Sequence, residues 1–401
     1  MGSAARTCPR CGRPLPPGVE ECPECTGRWH FNPSRQSVVL VSLLCLVGLF
    51  VFAGFVTRKF RDHEEQMARQ LYEQGEAELK AGHAEAALNP LRTALVYSRE
   101  KPEYELSLAE ALIAGGHYSE AQTYLLTLWS SQPGSATVNL ELARLAARNG
   151  NDTDAVRYYE ASIYGVWESN GEEHRRAARL ELINYLEAHG RRAEALAETI
   201  AFSANLPPDP ILYNQAGYLF LAEKSYDRAQ EQFRLSLQLE PKNADALAGA
   251  GKAAFENRNY SAAARYLERA NRVEPGNTST AELLAVARAV LSLDPEAAGL
   301  SAAARAERAQ RDFEQAQARL ATCPVPPKSG PDAPLNLLAA REKQLELKLR
   351  KKRLSRDMDL LAETVDFAFQ AEQEAQAACG LGSVEDRALV LLARDRERGS
   401  R

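Results

Sequence analysis

The stretch 226-YDRAQEQFRLSLQLEPKNADALAGAGKAAFENRNYSAAARYLERANRVEP-275 decides the fold, because one pattern occurs in it twice. An aromatic residue, a small residue and a proline each recur after the same number of residues: Tyr226 and Tyr260, Ala229 and Ala263, and Pro241 and Pro275. A fixed period of about 34 residues is typical of stacked helix-turn-helix units, each of which buries its apolar face only against its neighbours. The self-similarity therefore predicts an all-α repeat array.

The same step, which we call the repeat period, continues towards the N-terminus. The small residues that follow it are Gly82, Gly116 and Gly150, then Ala87, Ala121 and Ala155, and, after one longer interval, Ala195, Ala229 and Ala263. The longer interval, from Ala155 to Ala195, indicates six extra residues near positions 164–173. We therefore predict about six helix-turn-helix units over residues 58–295, with Ala281–Leu293 as a single capping helix that shields the last unit.

The repeated pattern resembles the tetratricopeptide-repeat family over more than half of the chain. Small residues occur where the two helices of a unit cross, and proline occurs where a unit ends: Gly75, Ala87 and Ala94, then Gly217, Ala229 and Pro241, then Gly251, Ala263, Ala270 and Pro275. Small side chains let the helix backbones approach closely, and proline stops the second helix. The fourth unit departs from the pattern, because Ile183 stands where a small residue is usual.

The resemblance implies a solenoid whose first helices line a concave groove that binds a protein or peptide. Projecting that groove onto this sequence selects Tyr72, Glu76, Arg144, Arg148, Asn184, Asn214, Tyr218, Lys252 and Phe255. Arg144 and Arg148 lie one helical turn apart and could bind a carboxylate, while the two asparagines could bond to a peptide backbone. The alternatives are a merely solvated surface for the polar residues and packing roles for the two tyrosines.

Residues 37–57 predict a transmembrane helix. Val38–Val56 is nineteen residues without a charge, with Arg35 before it and Arg58, Lys59 and Arg61 after it. At about 1.5 Å per residue this length covers the hydrocarbon core of a bilayer, and a helix satisfies its own backbone hydrogen bonds there. A cleavable signal peptide is the alternative, but the apolar run is too long and 36 residues precede it.

Residues 1–36 predict a small zinc ribbon. Two Cys-x-x-Cys pairs, Cys8 with Cys11 and Cys22 with Cys25, are separated by ten residues rich in proline and glycine. Four thiolates in this spacing match a closed tetrahedral site, and the segment resembles the short zinc-ribbon family. A complete four-sulfur shell predicts structural zinc, whose binding supplies the folding energy that so short a tail lacks. Two disulfides are the alternative.

Residues 296–395 predict a C-terminal helical segment. Ala297–Thr322 is followed by a proline-rich break and by a second helical region from Leu335 to Ala378. The apolar residues of that second region form a short heptad seam: Leu347, Leu354, Met358, Leu361, Val365 and Ala368. We expect the seam to dock as a hairpin, with a coiled-coil homo-oligomer as the alternative, and we expect residues 396–401 to be disordered.

Two further features of this segment are its cysteines and its basic run. Cys323 and Cys379 flank helix ends and are candidates for a disulfide, which would require a helix break near Ser355. The basic run, residues 348–353, is interpreted as a solvated face, with attraction to anionic lipid or an envelope polymer as the alternative.

The charge count for the orientation is equivocal, with two basic residues just before the span (Arg28 and Arg35) and four just after it (Arg58, Lys59, Arg61 and Arg69). On that count alone the repeats would be cytoplasmic. Two chemical arguments oppose this orientation. Thiolate zinc ligands suit a reducing compartment, whereas a lone cysteine pair in a large domain suits an oxidising one. We therefore favour a cytoplasmic N-terminus and extracytoplasmic repeats, with the reverse orientation as the alternative.

The sequence predicts a binding protein and not an enzyme. It contains no phosphate loop, nucleophile elbow, metalloprotease motif or dinucleotide fingerprint. The leading hypothesis is a membrane-anchored scaffold that binds a partner in the repeat groove. The second is a membrane-tethered regulator whose ribbon contacts nucleic acid or cytosolic machinery through Arg6, Arg10, Arg13 and Arg28, and a third is an accessory to an enzyme outside the cytoplasm. Arginines without interleaved aromatic residues are more often a solvated surface.

Overall fold

The computed structural model describes residues 6–26, 33–99, 101–323, 333–351 and 353–399, which form seventeen α-helices, one short 3-10 helix and no β-strand. The chain divides into unit 1, up to Tyr158, and unit 2, from Tyr159 onward. Unit 1 contains α1 (Pro33–Lys80), α2 (Ala84–Tyr97), α3 (Pro102–Ala114), α4 (Tyr118–Ser131) and α5 (Ala136–Arg148). The next helix, α6 (Asp152–Tyr164), begins in unit 1 and ends in unit 2. Unit 2 continues with α7 (Gly171–Ala188), α8 (Arg192–Ser203), α9 (Pro210–Ala222), α10 (Tyr226–Leu239), α11 (Ala244–Glu256), α12 (Tyr260–Val273) and α13 (Thr278–Leu293).

One helix of the described chain, α1, is long and apolar enough to cross a membrane. The side chains from Val38 to Val56 are all exposed. In a bilayer, lipid acyl chains would cover them. Ser42 is the polar residue of this run, and its hydroxyl donates to the backbone carbonyl of Val38 at 2.8 Å. The helix continues unbroken to Lys80, so the apolar segment and the first helix of the first repeat are one element.

Unit 1 packs its helix pairs around small residues, as the sequence predicts. Gly75 of α1 lies directly against Leu91 of α2, and a Cβ atom on Gly75 would come 2.5 Å from the Leu91 Cγ atom. Ala87 and Ala94 of α2 are fully buried. The core of the unit is aliphatic, with Leu91, Leu108, Leu112 and Leu125 fully buried.

Unit 2 repeats this packing with an aromatic ring. Phe233 of α10 lies between Gly217 of α9 and Gly249 of α11, whose added Cβ atoms would fall 2.7 Å and 2.4 Å from its ring carbons. Ile183, the residue that departs from the small-residue pattern, is fully buried with Phe202 and Ala216.

The turns inside the helix pairs share one backbone conformation. The residue at each turn has a positive φ: Gly82 (81°), Gly116 (83°), Gly150 (70°), Gly190 (71°), Lys224 (58°) and Arg258 (60°). A left-handed residue ends the first helix of a pair, and glycine adopts this conformation without a steric cost. The last two turns contain basic residues at the same position, which places a cation beside the start of α10 and of α12.

The last part of unit 2 is a packed C-terminal module, larger than the expected hairpin. It consists of α14 (Ala302–Thr322), α15 (Pro334–Lys351), a 3-10 helix (Leu354–Arg356), α16 (Met358–Cys379) and α17 (Val384–Gly399). The rings of Phe313 and Phe367 lie 5.3 Å apart in its core, and a disulfide joins Cys323 to Cys379. The 3-10 helix confirms the predicted break near Ser355.

The expected heptad seam does not form one face, because this break divides it. Leu354, Leu361, Val365 and Ala368 are buried in the module, whereas Leu347 and Met358 are exposed. The last helix runs to Gly399 and so includes four residues of the segment 396–401 that was expected to be disordered.

We expect Gly249→Ala to lower the free energy of unfolding by about 1–3 kcal/mol, because the new methyl group would overlap the Phe233 ring. The loss should occur even though alanine is the better helix former. The matched control is Gly276→Ala, since an added Cβ there meets nothing within 4 Å. Chemical denaturation of the detergent-solubilised chain, followed by circular dichroism, measures both; equal stabilities would contradict the close contact.

Candidate protein-binding surface and metal site

Five of the nine predicted groove residues share one register on the first helices of their unit: Glu76, Arg144, Asn184, Tyr218 and Lys252. In unit 1 the register is Glu76 on α1, Glu110 on α3 and Arg144 on α5, with one repeat period between neighbours. In unit 2 it is Asn184 on α7, Tyr218 on α9 and Lys252 on α11, at the same step. We call these positions and their helical neighbours the first-helix face of each unit.

The first-helix face of unit 1 is acidic at its centre. Burial, together with the charges of Glu141 and Glu76, raises the pKa of the Glu110 carboxyl to about 7. The carboxylate of Glu141 is itself buried and accepts a hydrogen bond from Arg144 Nη1 at 2.5 Å. The guanidinium of Arg144 therefore already forms an ion pair with Glu141 on its own helix.

The other predicted residues of unit 1 take part in packing. The guanidinium of Arg148 lies over the ring of Tyr118, 4.1 Å from its centroid. The ring of Tyr72 stacks on that of Tyr104 at 4.4 Å, and its hydroxyl accepts a hydrogen bond from Ser107 at 3.4 Å. The structure therefore does not pair Arg144 and Arg148 as one carboxylate clamp: each contacts a different partner.

The first-helix face of unit 2 contains a polar atom without a partner. Asn214 Nδ2 donates to Asn243 Oδ1 at 3.1 Å, and the same oxygen accepts from the Ala246 backbone N–H at the start of α11. Because Asn243 is fixed by this helix cap, Asn214 must direct its amide nitrogen towards it. Asn214 is only 8% exposed, and its Oδ1 has no hydrogen-bond partner among the described residues.

The neighbouring residues on this face are more accessible. Tyr218 is partly exposed, donates to the Asp245 carbonyl at 3.2 Å and packs edge-on against Phe233. Asn184 and Lys252 are exposed. Phe255 is half-buried, and its ring meets that of Tyr260 edge-on at 5.4 Å.

On α13 the same face is covered by the chain itself. Val286 and Ala289 lie one repeat period after Lys252 and Phe255, and both are buried in the core of the C-terminal module together with Leu389 of α17. The contact ends in a polar anchor. The hydroxyl of Tyr260 donates to the Asp395 carboxylate at 2.9 Å, and Arg258 Nε lies 3.0 Å from the other carboxylate oxygen.

This covering helix is the feature that sequence reasoning missed. Asp395 lies 135 residues after Tyr260, and no spacing rule relates the two positions. Burial and the adjacent Asp395 raise the pKa of Tyr260, which keeps its hydroxyl protonated as a donor. The local sequence signals for this contact are Arg258 in the turn and Tyr260 two residues later, which both bind Asp395.

Four cysteines at the N-terminus form a site that can bind a metal ion. The Sγ atoms of Cys8, Cys11, Cys22 and Cys25 all lie within 4.8 Å of one another. Cys8 and Cys25 have their sulfurs 3.9 Å apart, and Cys11 and Cys22 have theirs 3.7 Å apart. A tetrahedral ion with metal–sulfur bonds of about 2.3 Å would separate its ligand atoms by about 3.8 Å, so the donor set fits.

The local backbone explains how the sulfurs converge. Gly12 has a φ of 73°, its N–H donates to the Cys8 carbonyl at 2.9 Å, and the Arg10 N–H points at the Cys8 sulfur at 3.4 Å. The Arg10 N–H lowers the pKa of the Cys8 thiol to about 7, whereas the neighbouring Cys11 thiol raises that of Cys25 to about 12. Four like charges this close require a cation before all can ionise.

Comparison with protein families identifies tetratricopeptide repeats in two segments, residues 106–170 and 220–287. The first contains α4, α5 and α6 whole and most of α3, and the second contains α10 to α12. No curated protein shows significant similarity to the chain.

Several solved repeat structures resemble this chain at low identity. PilF of Pseudomonas aeruginosa is 18% identical with a TM-score of 0.38, and the match covers 56% of this chain and 99% of that one. PilW, a type IV pilus biogenesis factor, is 18% identical over 55% of this chain and 99% of its own, with a TM-score of 0.39. YrrB, described as having an unusual peptide-binding site, is 17% identical over 48% and 95%, with a TM-score of 0.38.

We expect unit 1 to lose stability as the pH rises from about 4.5 to 7, because burial raises the pKa of Glu110 in the folded chain. The protonated form is favoured by folding, so its contribution is complete below the unfolded pKa and is lost as the carboxyl ionises. Glu110→Gln should remove this slope, and the exposed Glu65→Gln should keep it. Hydrogen exchange of α3 across this pH range, corrected for intrinsic rates, is the measurement; an unchanged slope in Glu110→Gln would refute the assignment.

Proposed function

We propose that this protein is a membrane-anchored scaffold whose first-helix faces bind a protein partner. The observation that carries the proposal is the unequal cover of one repeated face: α13 has α17 packed on it, whereas the equivalent residues on α7, α9 and α11 are exposed or partly exposed. Because this face binds a helix of the same chain at one repeat, we infer that its exposed part on the preceding repeats binds a helix or peptide of a partner. The tetratricopeptide-repeat matches support the same class of function.

The contacts available in unit 2 suggest what a partner would present. Asn214 Oδ1 is an unpaired but fully buried acceptor, so it would receive a backbone or side-chain N–H from a partner only if the face opened to admit that donor. Lys252 supplies an exposed positive charge and Tyr218 a partly exposed ring, which suit an acidic side chain and an apolar side chain respectively. We therefore propose Asn184, Asn214, Tyr218 and Lys252 as the contact residues of unit 2.

Unit 1 would contribute differently. Its Glu76 and Glu110 are acidic, and Arg144, Arg148 and Tyr72 already have partners within the unit. We propose that these three residues shape the face and that unit 2 makes the stronger polar contacts with the partner.

Photocrosslinking in cells tests the binding surface. A photoreactive amino acid at position 184, 218 or 252 should crosslink one and the same protein, because the three side chains follow one register of the first-helix face. The control is the same amino acid at Lys242, an exposed position in the turn between α10 and α11.

The variant Lys252→Glu should then reduce the yield of that crosslink about tenfold from position 218, since a charge-assisted contact is worth roughly 1.5–3 kcal/mol. Lys242→Glu should leave it unchanged. Equal crosslinking from the face and from the control position would refute this binding surface.

We further propose that the ribbon binds structural zinc. The four-sulfur shell leaves no open coordination position, which excludes a bound catalytic water, and a small domain of this kind gains its folding energy from the metal. When bound, zinc would supply the positive charge that the converging thiolates need.

The full chain should bind one zinc ion, measured by native mass spectrometry in detergent. Cys22→Ser should lose the ion, because three sulfurs remain, and the control Cys45→Ser, in the apolar part of α1, should retain it. Binding should weaken as the pH falls, since protons compete for the thiolates. A Cys22→Ser variant with full zinc content would contradict the site.

We propose that α1 spans the bilayer with the ribbon in the cytoplasm and the repeats outside it. The disulfide between Cys323 and Cys379 supports an oxidising compartment for the C-terminal module, and the four unbridged cysteines of the ribbon support a reducing one.

Thiol labelling tests the orientation. In sealed right-side-out membrane vesicles, a membrane-impermeant maleimide should modify an introduced Lys242→Cys but not the exposed Cys11 of the metal-stripped ribbon. Detergent should make both react. Labelling of Cys11 before detergent, with Lys242→Cys protected, would establish the reverse orientation.

The ribbon gives little support to the alternative of a nucleic-acid-binding regulator. Residues 6–26 contain three arginines and three glutamates, and Arg13 is paired with Glu24 at 2.7 Å. A balanced charge of this kind does not favour a phosphate backbone. Arg28 lies outside the described residues.

A further inference from the structure

Helix α15 of the C-terminal module has leucines on two opposite sides. Leu335, Leu338 and Leu345 face inwards and are almost fully buried. Leu337 and Leu347 face outwards and are 56% and 59% exposed. The inward set accounts for the packing of the helix, so the outward pair needs a separate explanation.

The outward side of α15 is also basic. At 100° per residue, Leu337, Ala340 and Leu347 lie on one half of the helix together with four basic residues: Arg341, Lys343, Lys348 and Arg350. The two acidic residues of the helix lie on the other half. Glu342 is held there by a hydrogen bond from Gln317 at 3.0 Å, and Glu346 pairs with Arg350 at 2.6 Å.

The charges on this face are only partly neutralised. Lys348 pairs with Glu363 of α16 at 2.8 Å, but half of its side chain is exposed, and ion pairs at such exposed sites are weak and can exchange partners. Arg341 bonds to the neutral amide of Gln370 at 2.9 Å and so keeps its full charge. Lys343 is exposed. The face is therefore positive on a chain whose net charge is −5.

We propose that the outward face of α15, defined by Leu337, Ala340, Arg341, Lys343 and Leu347, docks on an anionic phospholipid surface. Exposed leucines flanked by basic side chains, with no acid between them, match the composition of helices that lie in a membrane interface. The leucines enter the boundary between headgroups and acyl chains, and the long basic side chains reach the phosphates.

Two observations favour a lipid surface over a protein partner or a second copy of this chain. The first rests on the proposed function: if α1 spans the bilayer, it supplies a first membrane anchor, and a second, weak contact gains from the resulting high local concentration of lipid. Self-association through Leu337 and Leu347 would bring basic flanks together in both copies, which is unfavourable.

The test is hydrogen exchange of residues 334–351 in the full chain, reconstituted in nanodiscs. One set contains phosphatidylcholine alone, and the other contains phosphatidylcholine with one third phosphatidylglycerol. Exchange of α15 should slow by at least fivefold in the anionic discs, a factor that corresponds to about one basic contact. Raising the salt concentration to about 0.5 M should remove most of the effect. Exchange of α16 in the neutral discs reports whether the module remains folded.

The variant Arg341→Glu/Lys343→Glu should lose the slowing in anionic discs. The matched control is Lys224→Glu/Lys242→Glu, which reverses two exposed charges elsewhere in unit 2 and should keep it. Leu337→Ser/Leu347→Ser should weaken the slowing without removing its salt dependence. Equal exchange in both kinds of disc would overturn the proposal. So would slowing by a soluble acidic helical peptide but not by the discs, which would assign the face to an acidic protein.

Discussion

The close approach of paired helices at small residues is the constraint on which the repeat structure depends. Gly75 admits Leu91, Gly251 admits Leu267, and Gly217 and Gly249 admit the ring of Phe233 from both sides. In each contact the glycine of one helix has no side chain, so a large side chain of the other helix fills the space. Repetition of this contact within each unit sets the register, and the register places one residue of each first helix on the same face of that unit.

That face acquires its character from its neighbours in space. In unit 1, burial and two nearby carboxylates make Glu110 a weak acid, and Glu141 engages Arg144. In unit 2 the covering of α13 by α17 ends the accessible part of the face near Phe255. A surface that looks uniform in the repeat pattern is thus acidic in one unit, and polar and partly covered in the other.

Helix α1 joins the apolar segment directly to the first repeat. The helix that contains the apolar segment also contains Tyr72 and Glu76, so no loop separates the apolar segment from the first repeat. The residues from Val56 to Tyr72 span about 24 Å at the rise of an α-helix. If α1 crosses the bilayer as proposed, the first-helix face of unit 1 starts at a short, fixed distance from the lipid. The basic face of α15 would add a second contact of a different kind.

The sequence by itself determined the helical class, the repeat period, the apolar segment, the converging cysteines and the break near Ser355. All of these depend on spacing along the chain, which period and composition report directly. Only the tertiary structure decided that Arg144 and Arg148 have separate partners, that Asn214 keeps an unpaired oxygen, and that α17 covers α13. Some of these contacts depend on the direction in which a side chain points, and others join residues as many as 135 positions apart in the sequence. No local sequence pattern encodes side-chain direction or such long-range contacts.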